Sequence, residues 1–449
     1  MARAKKEAAL TPEERLQAAL VLDWEWPYKL PENWCWTTVG AINQYVGISA
    51  DPTKAKNKTF ELYSVPSSAD NYPEIVLGAD IGSTKQSVKK GDVLLCKINP
   101  RINRVWKVSK YTDHSLLASS EWIVIRNSGL ISNYLMWCFR SPYFRGYMLS
   151  NVSGVGGSLM RAQPKFVQGY PVPVPPLAEQ QRIVDRIESL FAKLDEAKEK
   201  AQAVVDSFET RKAAILHKAF TGELTAKWRE EHDVGMESWE KYKFNELGTL
   251  ERGRSKHRPR NDPKLFGGKY PFIQTGDVAR SGMYITEHTQ TLSEVGAEQS
   301  KLFPKGTLCI TIAANIGDVS ILTYDCCFPD SVVGFTPNER TLSEYIYYLM
   351  STLQREIEAN APATAQKNIN LRILNDLQLD IPSVAEQTQI VNQVEYLFFQ
   401  EQHAKEAAEA VLEQIDLMKK SILARAFRGE LGTNDPSEES AVELLKQIF

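Results

Sequence analysis

Two stretches of the chain carry apolar residues at alternating steps of three and four, with mainly charged and polar residues between them. Such spacing over about five heptads is typical of the seam of a coiled coil. One such stripe would favour a helix on the surface of a compact core, whereas two matching long stripes favour helices packed on one another. The members are Ile183, Ile187, Leu190, Leu194, Ala197, Ala201, Val204 and Phe208, then Ile390, Val394, Leu397, Glu401, Ala404, Ala408, Val411, Ile415, Met418 and Ile422.

The two stripes belong to an internal duplication. Residues 175–224 and 382–431, aligned without a gap, share 23 identities in 50 positions. In each copy we expect one helix of about 44 residues, or roughly 66 Å, ending at Gly222 or Gly429. Ser383 and Glu386 have the spacing of a capping box at the start of the second helix, and Thr11 and Glu14 have it at the start of a short helix near the N-terminus. The simplest arrangement for one chain is an antiparallel intramolecular coiled coil.

Short runs of β-branched and aromatic residues, broken by Gly, Pro, Asn and Asp, precede each helical region. Each also has one late helical stretch, 134–145 and 343–358. The predicted fold class is α+β, with two α/β globular regions, two long helices packed as an antiparallel coiled coil, and pseudo-twofold symmetry. The predicted parts are a leader with a short helix (1–29), a first β-rich region (30–174), a central helical region (175–224), a linker (225–238), a second β-rich region (239–381), a distal helical region (382–432) and an acidic tail (433–449).

Composition excludes several classes of protein. Of 449 residues, 43% are hydrophobic and 24% charged, as in a globular chain with a substantial core. No apolar run approaches the roughly 18 residues of a membrane span, and no apolar segment of a secretory signal follows the basic N-terminus. Six cysteines in no regular spacing predict neither a disulfide framework nor a metal site, so we expect a reducing cytoplasm.

Motifs of known catalytic sites are absent from the sequence. There is no phosphate-binding G-x-x-x-x-G-K-[ST] loop, no G-x-G-x-x-G, no H-E-x-x-H and no G-x-S-x-G. No pair of carboxylates stands out as an acid and base couple. A self-contained nuclease or methyltransferase is therefore disfavoured, and we expect a chain without catalytic residues.

Local charge points to a polyanionic partner, although the net charge is only −3. Each β-rich region has a basic stretch, 85–110 and 251–269, interleaved with aromatic residues, and a polar loop near its end. One such run would more simply be a solvated loop, but basic stretches in both regions favour nucleic acid, with cations on phosphates and Arg, Asn or Gln on base edges. The candidate DNA-binding residues are Lys97, Arg101, Arg104, Lys107, Arg161, Gln163, Arg252, Arg254, Lys256, Arg258, Arg260, Gln366, Lys367 and Asn368.

The order of two variable globular regions, each followed by a repeated long helix, resembles the specificity (S) subunit of type I restriction–modification systems. The resemblance rests on three motifs: Leu30-Pro31-Glu32-Asn33-Trp34, the segment from Val174 to Val184 with its copy at Pro382-Ser383-Val384-Ala385-Glu386-Gln387, and Ala219-Phe220-Thr221-Gly222-Glu223-Leu224. The resemblance covers residues 30–432, and its motifs are structural rather than base-reading.

The resemblance implies that each β-rich region is a target recognition domain for half of a split site in double-stranded DNA. The helices would set the spacer, bounding the footprint to about 19 base pairs, and would dock two methyltransferase (M) subunits. Those partners would hold S-adenosylmethionine and methylate adenine N6, and restriction (R) subunits would join for cleavage; no cofactor is expected in this chain. The alternative from another class is a coiled-coil scaffold joining two β-rich modules without DNA recognition.

Overall fold

The computed structural model describes residues 11–153, 160–256, 259–312, 317–359 and 371–448. Contacts between residues divide the chain into two compact units. Unit 1 contains the residues up to 201 and those from 410 onwards, and unit 2 contains residues 202–409. Each unit combines one β-rich region with part of both helical regions, because the division falls within the repeated segments.

The N-terminal part of unit 1 holds the leader and the first β-rich region. Its strands are β1 (Cys35–Thr38), β2 (Ser49–Ala50), β3 (Thr59–Tyr63), β4 (Glu74–Leu77), β5 (Lys85–Ser87), β6 (Val93–Cys96), β7 (Val105–Lys107), β8 (Ser115–Ala118), β9 (Trp122–Ile125), β10 (Val152–Ser153), β11 (Arg161–Ala162) and β12 (Pro171–Val174). Its helices are α1 (Pro12–Ala19), α2 (Val39–Ile42), α3 (Ser132–Arg140), α4 (Pro142–Ser150) and α5 (Pro164–Val167). Thr11 and Glu14 form the predicted capping box of α1.

The strands of this region form small sheets, and their buried side chains belong to several hydrophobic clusters. The larger sheet has the order β2-β5-β8-β3-β4, and a second has the order β7-β6-β9. All four residues of β6 are buried, as expected of the central strand of a sheet covered on both faces. The first and last strands, β1 and β12, pair antiparallel with Cys35 opposite Val174. The chain therefore enters and leaves the region at one place, next to the central helical region.

The central helical region is interrupted once, which the periodicity did not predict. It forms α6 (Leu177–Asp206) and α7 (Phe208–Phe220), and α8 (Ala226–Glu231) follows in the segment predicted as a linker. At the break, the Ser207 hydroxyl donates to the Ala203 carbonyl at 2.5 Å. A serine that bonds to the carbonyl four residues earlier competes with the helical ladder and bends the helix.

The second β-rich region, in unit 2, repeats the plan of the first. Its strands are β13 (Glu240–Lys243), β14 (Gly248–Arg252), β15 (Phe266–Phe272), β16 (Tyr284–Ile285), β17 (Gln290–Leu292), β18 (Leu302–Phe303), β19 (Leu308–Thr311), β20 (Val319–Leu322), β21 (Cys326–Cys327), β22 (Val332–Pro337) and β23 (Gln378–Ile381). Its helices are α9 (Thr275–Arg280), α10 (Glu294–Glu298), α11 (Ser343–Ala359) and α12 (Leu371–Asn375). The sheets have the orders β14-β22-β19-β20-β16 and β17-β15-β21-β18, and β13 pairs with β23 as β1 does with β12.

The late helical stretches of the two regions differ from one another. The stretch predicted at 343–358 is one helix, α11, whereas that predicted at 134–145 is two, α3 and α4. The break falls at Ser141 and Pro142, because proline has no backbone N–H to continue the helical ladder. The Ser141 hydroxyl then caps α4 by accepting from the Phe144 N–H at 3.2 Å.

The distal helical region is the continuous helix α13 (Val384–Ala426), and α14 (Ala441–Ile448) follows it in the acidic tail. In unit 1, Lys419 Nζ lies 5.1 Å from the ring centroid of Phe191. In unit 2, Lys405 Nζ lies 4.7 Å from that of Phe208. Residue numbers rise along one helix as they fall along its partner, so the long helices pack antiparallel, as predicted.

The apolar stripe of α13 is not buried along its whole length. Val411 is 44% exposed and Met418 50% exposed, so these predicted seam positions are wrong. Glu401 lies within the helix pair and forms an ion pair with Arg211 at 2.5 Å. A two-helix pair has a narrow interface, so some positions of a long stripe face solvent.

The glutamine of each repeated motif ties a long helix to the β-rich region before it. Gln180 Oε1 accepts from the Ile131 N–H, and Gln387 Oε1 accepts from the Leu342 N–H, both at 2.9 Å. Each Nε2 donates to the carbonyl of the proline that opens its motif, at 3.0 and 2.9 Å. The motif therefore fixes the direction in which each helix leaves its β-rich region.

The glutamate of each motif is buried and binds the segment after the other helical region. Glu179 accepts from the Thr433 hydroxyl at 2.6 Å, and Glu386 accepts from the Thr225 hydroxyl at 2.7 Å and from Arg229. The predicted capping box at the start of α13 is therefore only half present. The Glu386 N–H does reach the Ser383 hydroxyl, at 3.4 Å, but the carboxylate has other partners.

The leader and the acidic tail are built into unit 1. Leu16 of α1 and Ala441 and Leu445 of α14 are buried in its core. Arg182 at the start of α6 donates to both carboxylate oxygens of Glu438, at 2.8 and 2.7 Å. Helices α1 and α14, near the two ends of the described chain, therefore both belong to unit 1.

Candidate nucleic-acid interface

In the first β-rich region, the loop after β6 lies against the β10–β11 hairpin. The Ala162 N–H donates to the Lys97 carbonyl at 2.8 Å, and the Asn99 N–H donates to the Met160 carbonyl at 2.8 Å. This backbone pairing places the segment of Lys97 beside that of Arg161 and Gln163, although 64 residues separate Lys97 from Arg161 in sequence. Arg161 is about half exposed and forms an ion pair with Glu121 at 3.3 Å.

The loop itself is a tight turn that exposes Arg101. Asn99 and Asn103, on either side of the turn, have φ of 48° and 54°, in the left-handed region that asparagine tolerates better than most residues. The Asn103 side chain anchors the turn by donating to the Arg140 carbonyl at 3.0 Å. Arg104 is only partly exposed, and its carbonyl accepts from the Cys96 N–H at 3.0 Å.

Lys107 is not part of this cluster. It lies on β7, and its ammonium donates to the Asn133 carboxamide oxygen on α3. Asn133 in turn donates to Glu188 of α6 at 3.2 Å. Lys107 therefore joins the sheet to the helices, while Lys97, Arg161 and Gln163 gather at the hairpin.

A buried carboxylate, which the sequence did not single out, supports a neighbouring basic loop. Glu61 on β3 is fully buried, and it accepts from the Thr112 N–H and hydroxyl, both at 2.9 Å. It also accepts from the Tyr63 hydroxyl at 2.8 Å, and burial raises the pKa of that tyrosine. The loop that carries Lys110 and Tyr111 is held in one conformation as a result.

In the second β-rich region, two arginines of the basic stretch 251–269 bind the same acidic residue, Asp330. Arg260 donates to the Asp330 carboxylate at 2.8 Å, and Arg252 donates to the carbonyl of the same residue. Arg254 and Lys256 are exposed. Arg258 and the loop residues Gln366, Lys367 and Asn368 lie outside the described residues.

Next to this basic segment is a cavity of about 470 Å³. Its wall combines two guanidinium groups, four carboxamides and an apolar floor that includes Phe272: Arg254, Arg260, Asn261, Gln274, Gln290 and Gln299 supply the polar groups. The search for runs of charge could not find the three glutamines, since they are uncharged and lie on different elements. Gln274 lies just after β15, and Gln290 is the first residue of β17. Their positions in the sequence become informative only once these two strands are known to pair.

The Cys96 thiol, which lies near these basic residues, is unreactive. Burial raises the pKa of the Cys96 thiol, although the nearby Arg104 guanidinium partly opposes this. The thiol next to Lys97 therefore stays protonated near neutral pH and is a poor nucleophile. Across the described ranges, no group of three or more His, Cys, Asp or Glu side chains is placed to hold a metal ion. No helix in those ranges is long and apolar enough to span a bilayer.

Known proteins match this chain over most of its length. The EcoKI specificity subunit of a type I restriction enzyme from Escherichia coli K12 is 26% identical over 351 residues, which cover 72% of this chain and 73% of that protein. The EcoBI specificity subunit from Escherichia coli is 24% identical over 348 residues, 68% of this chain and 69% of that protein. The crystal structure of the HsdS subunit from Thermoanaerobacter tengcongensis has the same fold, with a TM-score of 0.67 at 22% identity, over 91% of this chain and all of that one.

The strongest statement about family comes from a model of the type I restriction modification DNA specificity domain. It matches this chain twice, at residues 47–205 and 236–411, which together are well over half of the sequence. Each match contains most or all of one β-rich region and part of the helical region that follows it, as the duplication requires. The chain therefore belongs to the family of type I restriction–modification DNA specificity proteins.

Proposed function

We propose that this chain is the non-catalytic DNA-reading subunit of a type I restriction–modification complex, in which each β-rich region reads one half of a bipartite site. The observation that carries the proposal is that the two units are built alike and that each has its own basic cluster. In the first region Lys97 and Arg161 lie on paired segments, and in the second Arg254 and Arg260 line one cavity. Two separate clusters of cations on duplicated units suit two separate stretches of duplex.

The cations would position the DNA, and neighbouring amides would specify it. Lys and Arg on phosphates release counterions, so the association constant falls steeply with salt. With about six to ten phosphate contacts in all, affinity should fall by roughly 10³ to 10⁵ between 50 and 200 mM salt. A scaffold that joins two modules without binding DNA would have no such dependence.

The long helices would set the distance between the half-sites and dock the partners. We expect two M subunits on the helices, one for each repeat, with S-adenosylmethionine and the adenine-N6 chemistry in those subunits and R subunits joining for cleavage. The repetition of the Gln and Glu anchors in both units supports this arrangement. Each β-rich region is fixed to a helix by the same contacts, so a change in helix length would be passed on to the spacer.

The experiment is methylome sequencing of cells that express this chain with the M subunit encoded beside it. We expect a split motif methylated on both strands, which is lost when this chain is omitted. If an M subunit that binds this chain and is active with another S subunit gives no methylated motif here, the DNA-reading proposal fails and the scaffold function takes its place.

A second arm tests the helices as a ruler. Four residues added to α6 and to the antiparallel segment of α13 lengthen the pair by about 6 Å. That length is about two base pairs, so the methylated motif should keep both half-sites and gain spacer. An unchanged spacer with both half-sites intact would be incompatible with a ruler.

A further inference from the structure

We propose that the cavity beside the basic segment of the second β-rich region holds one purine base of the half-site that this region reads, with Gln290 and Arg254 as its hydrogen-bonding groups. The inference rests on the proposed function, and it assigns a specificity role to Gln290, which is not part of any run of charge, together with Arg254 of the basic stretch. It concerns one base of one half-site, not the affinity for DNA as a whole.

The cavity is shaped by an irregular strand. The register of β15 against β17 shifts between Phe266 and Tyr270, and the intervening Gly267 has φ of +83°. A Cβ on Gly268 would lie 2.4 Å from the Leu292 carbonyl, so the two backbones approach more closely there than a side chain permits. Bulges of this kind re-aim side chains next to functional sites.

The wall is complementary to a base rather than to a phosphate. A phosphate needs only cations and N–H donors, whereas this cavity also has an aromatic surface, with the rings of Phe266 and Phe272 6.2 Å apart. Phe272 is 8% exposed and Leu292 is 4% exposed, which gives the cavity an apolar floor. A base edge in the groove is held by hydrogen bonds, which are stronger beside an apolar floor that excludes water, whereas a phosphate would find no partner on that floor.

The polar groups are arranged as donors. Gln274 Nε2 donates to Gln290 Oε1 at 2.5 Å, which occupies one of the two acceptor sites of that oxygen and leaves the amino group of Gln290 for a ligand. Within the described ranges, that amino group has no hydrogen-bond acceptor, and Arg254 has no carboxylate partner. Purines present N7, and guanine also O6, as acceptors in the major groove, and arginine and carboxamide side chains read these atoms.

The surroundings supply the rest of a DNA contact. Arg260 lines the same cavity and is held at 2.8 Å from Asp330, which also binds Arg252 through its carbonyl. Asp330 thus presents two guanidinium groups near the mouth of the cavity, where phosphates on either side of a bound base would lie. Contacts to phosphates position a protein on DNA, and contacts to base edges carry the specificity.

The test is the methylated motif produced by Gln290→Ala, expressed with the M subunit. One purine position in one half-site should become degenerate, with discrimination there reduced roughly 5- to 100-fold, which corresponds to one bidentate contact. The other half-site should be unchanged. Gln378→Ala is the matched control, because Gln378 is exposed on β23 of the same unit and does not line the cavity; it should leave the motif unaltered.

A second variant covers the case in which Gln290→Ala does not fold. Arg254→Ala removes an exposed side chain and should relax the same position. If the wild type gives a split motif and either folded variant retains full discrimination at every position, the cavity proposal is wrong while the proposed function stands. If the wild type gives no motif, the proposed function itself has failed.

Discussion

Removing the carboxylate of Glu386 should be among the most destabilising single changes in unit 2. Glu386 is 1% exposed, and its oxygens accept from the Thr225 hydroxyl at 2.7 Å, from Trp239 Nε1 at 3.1 Å and from Arg229. Arg229 is itself buried, and its other terminal nitrogen donates to the Gly222 carbonyl at 2.6 Å. Glu386→Ala would therefore leave a buried guanidinium without its counter-charge.

The expected magnitude follows from burial. Removing one partner of a buried ion pair costs about 3–5 kcal/mol, because the remaining charge is desolvated and unpaired. Glu196→Ala is the matched control, since Glu196 pairs with Lys200 at 2.7 Å but the two side chains are 66% and 74% exposed. An exposed pair of this kind contributes about 0–1 kcal/mol.

Hydrogen exchange followed by mass spectrometry measures the effect where it should occur. The free energy of opening of α8 and of the first turns of α13 should fall by about 3–5 kcal/mol in Glu386→Ala and by less than about 1 kcal/mol in Glu196→Ala. Glu386→Gln should lie between the wild type and Glu386→Ala, because the amide keeps an acceptor for Thr225 and Trp239 but not the charge. Equal protection in Glu386→Ala and Glu196→Ala would refute the reasoning.

Three further predictions concern the anchors, the helix ends and the thiols. Gln387→Leu should lower the free energy of unfolding by about 1–3 kcal/mol in urea denaturation, because it leaves buried N–H and C=O groups unpaired, whereas Leu at the exposed Gln400 should have little effect. Gly429→Ala should lower the free energy of unfolding by at least about 1–2 kcal/mol, since φ is +75° and the new Cβ would lie 2.4 Å from Pro31 Cγ. The control is Gly146→Ala in α4, where the new Cβ meets nothing within 4 Å, so this change should be neutral or stabilising. Thermal melts of both variants measure the difference. All six cysteines are buried, and burial raises the pKa of Cys35 to about 12, so thiol reagents at pH 8 should label the native protein slowly and all six thiols rapidly in denaturant; fast labelling of native protein would contradict the described packing.

The sequence predicted local features well, because their signals lie within a few residues of one another. The capping box of α1, the helix ends at Gly222 and Gly429 and the extent of α11 were all predicted, and both glycines have positive φ. Where prediction was wrong, one local contact was stronger than the periodicity. The Ser207 hydroxyl interrupts the central helix, and Pro142 divides the late helix of the first β-rich region.

The candidate interface was only partly predictable. The basic runs pointed to Lys97 and Arg254, but the pairing of Lys97 with the hairpin of Arg161 depends on strands far apart in sequence. The cavity formed by Gln274 and Gln290 depends on the register of β15 against β17. A search of the sequence for runs of one residue type detects charged segments more readily than scattered amide side chains. It cannot show which residues of two strands lie opposite one another.

By itself, the sequence determined the duplication and the absence of known catalytic motifs, and it predicted the α+β class and an antiparallel pair of long helices. Repetition and heptad spacing are written directly in the order of residues, so no structure was needed for them. Only the tertiary structure decided that the glutamate of each motif binds the threonine beyond the other helix, and that the acidic tail completes unit 1. These contacts join residues that are 161 and 254 positions apart, and a chain specifies such contacts only through the packing of all the elements between them.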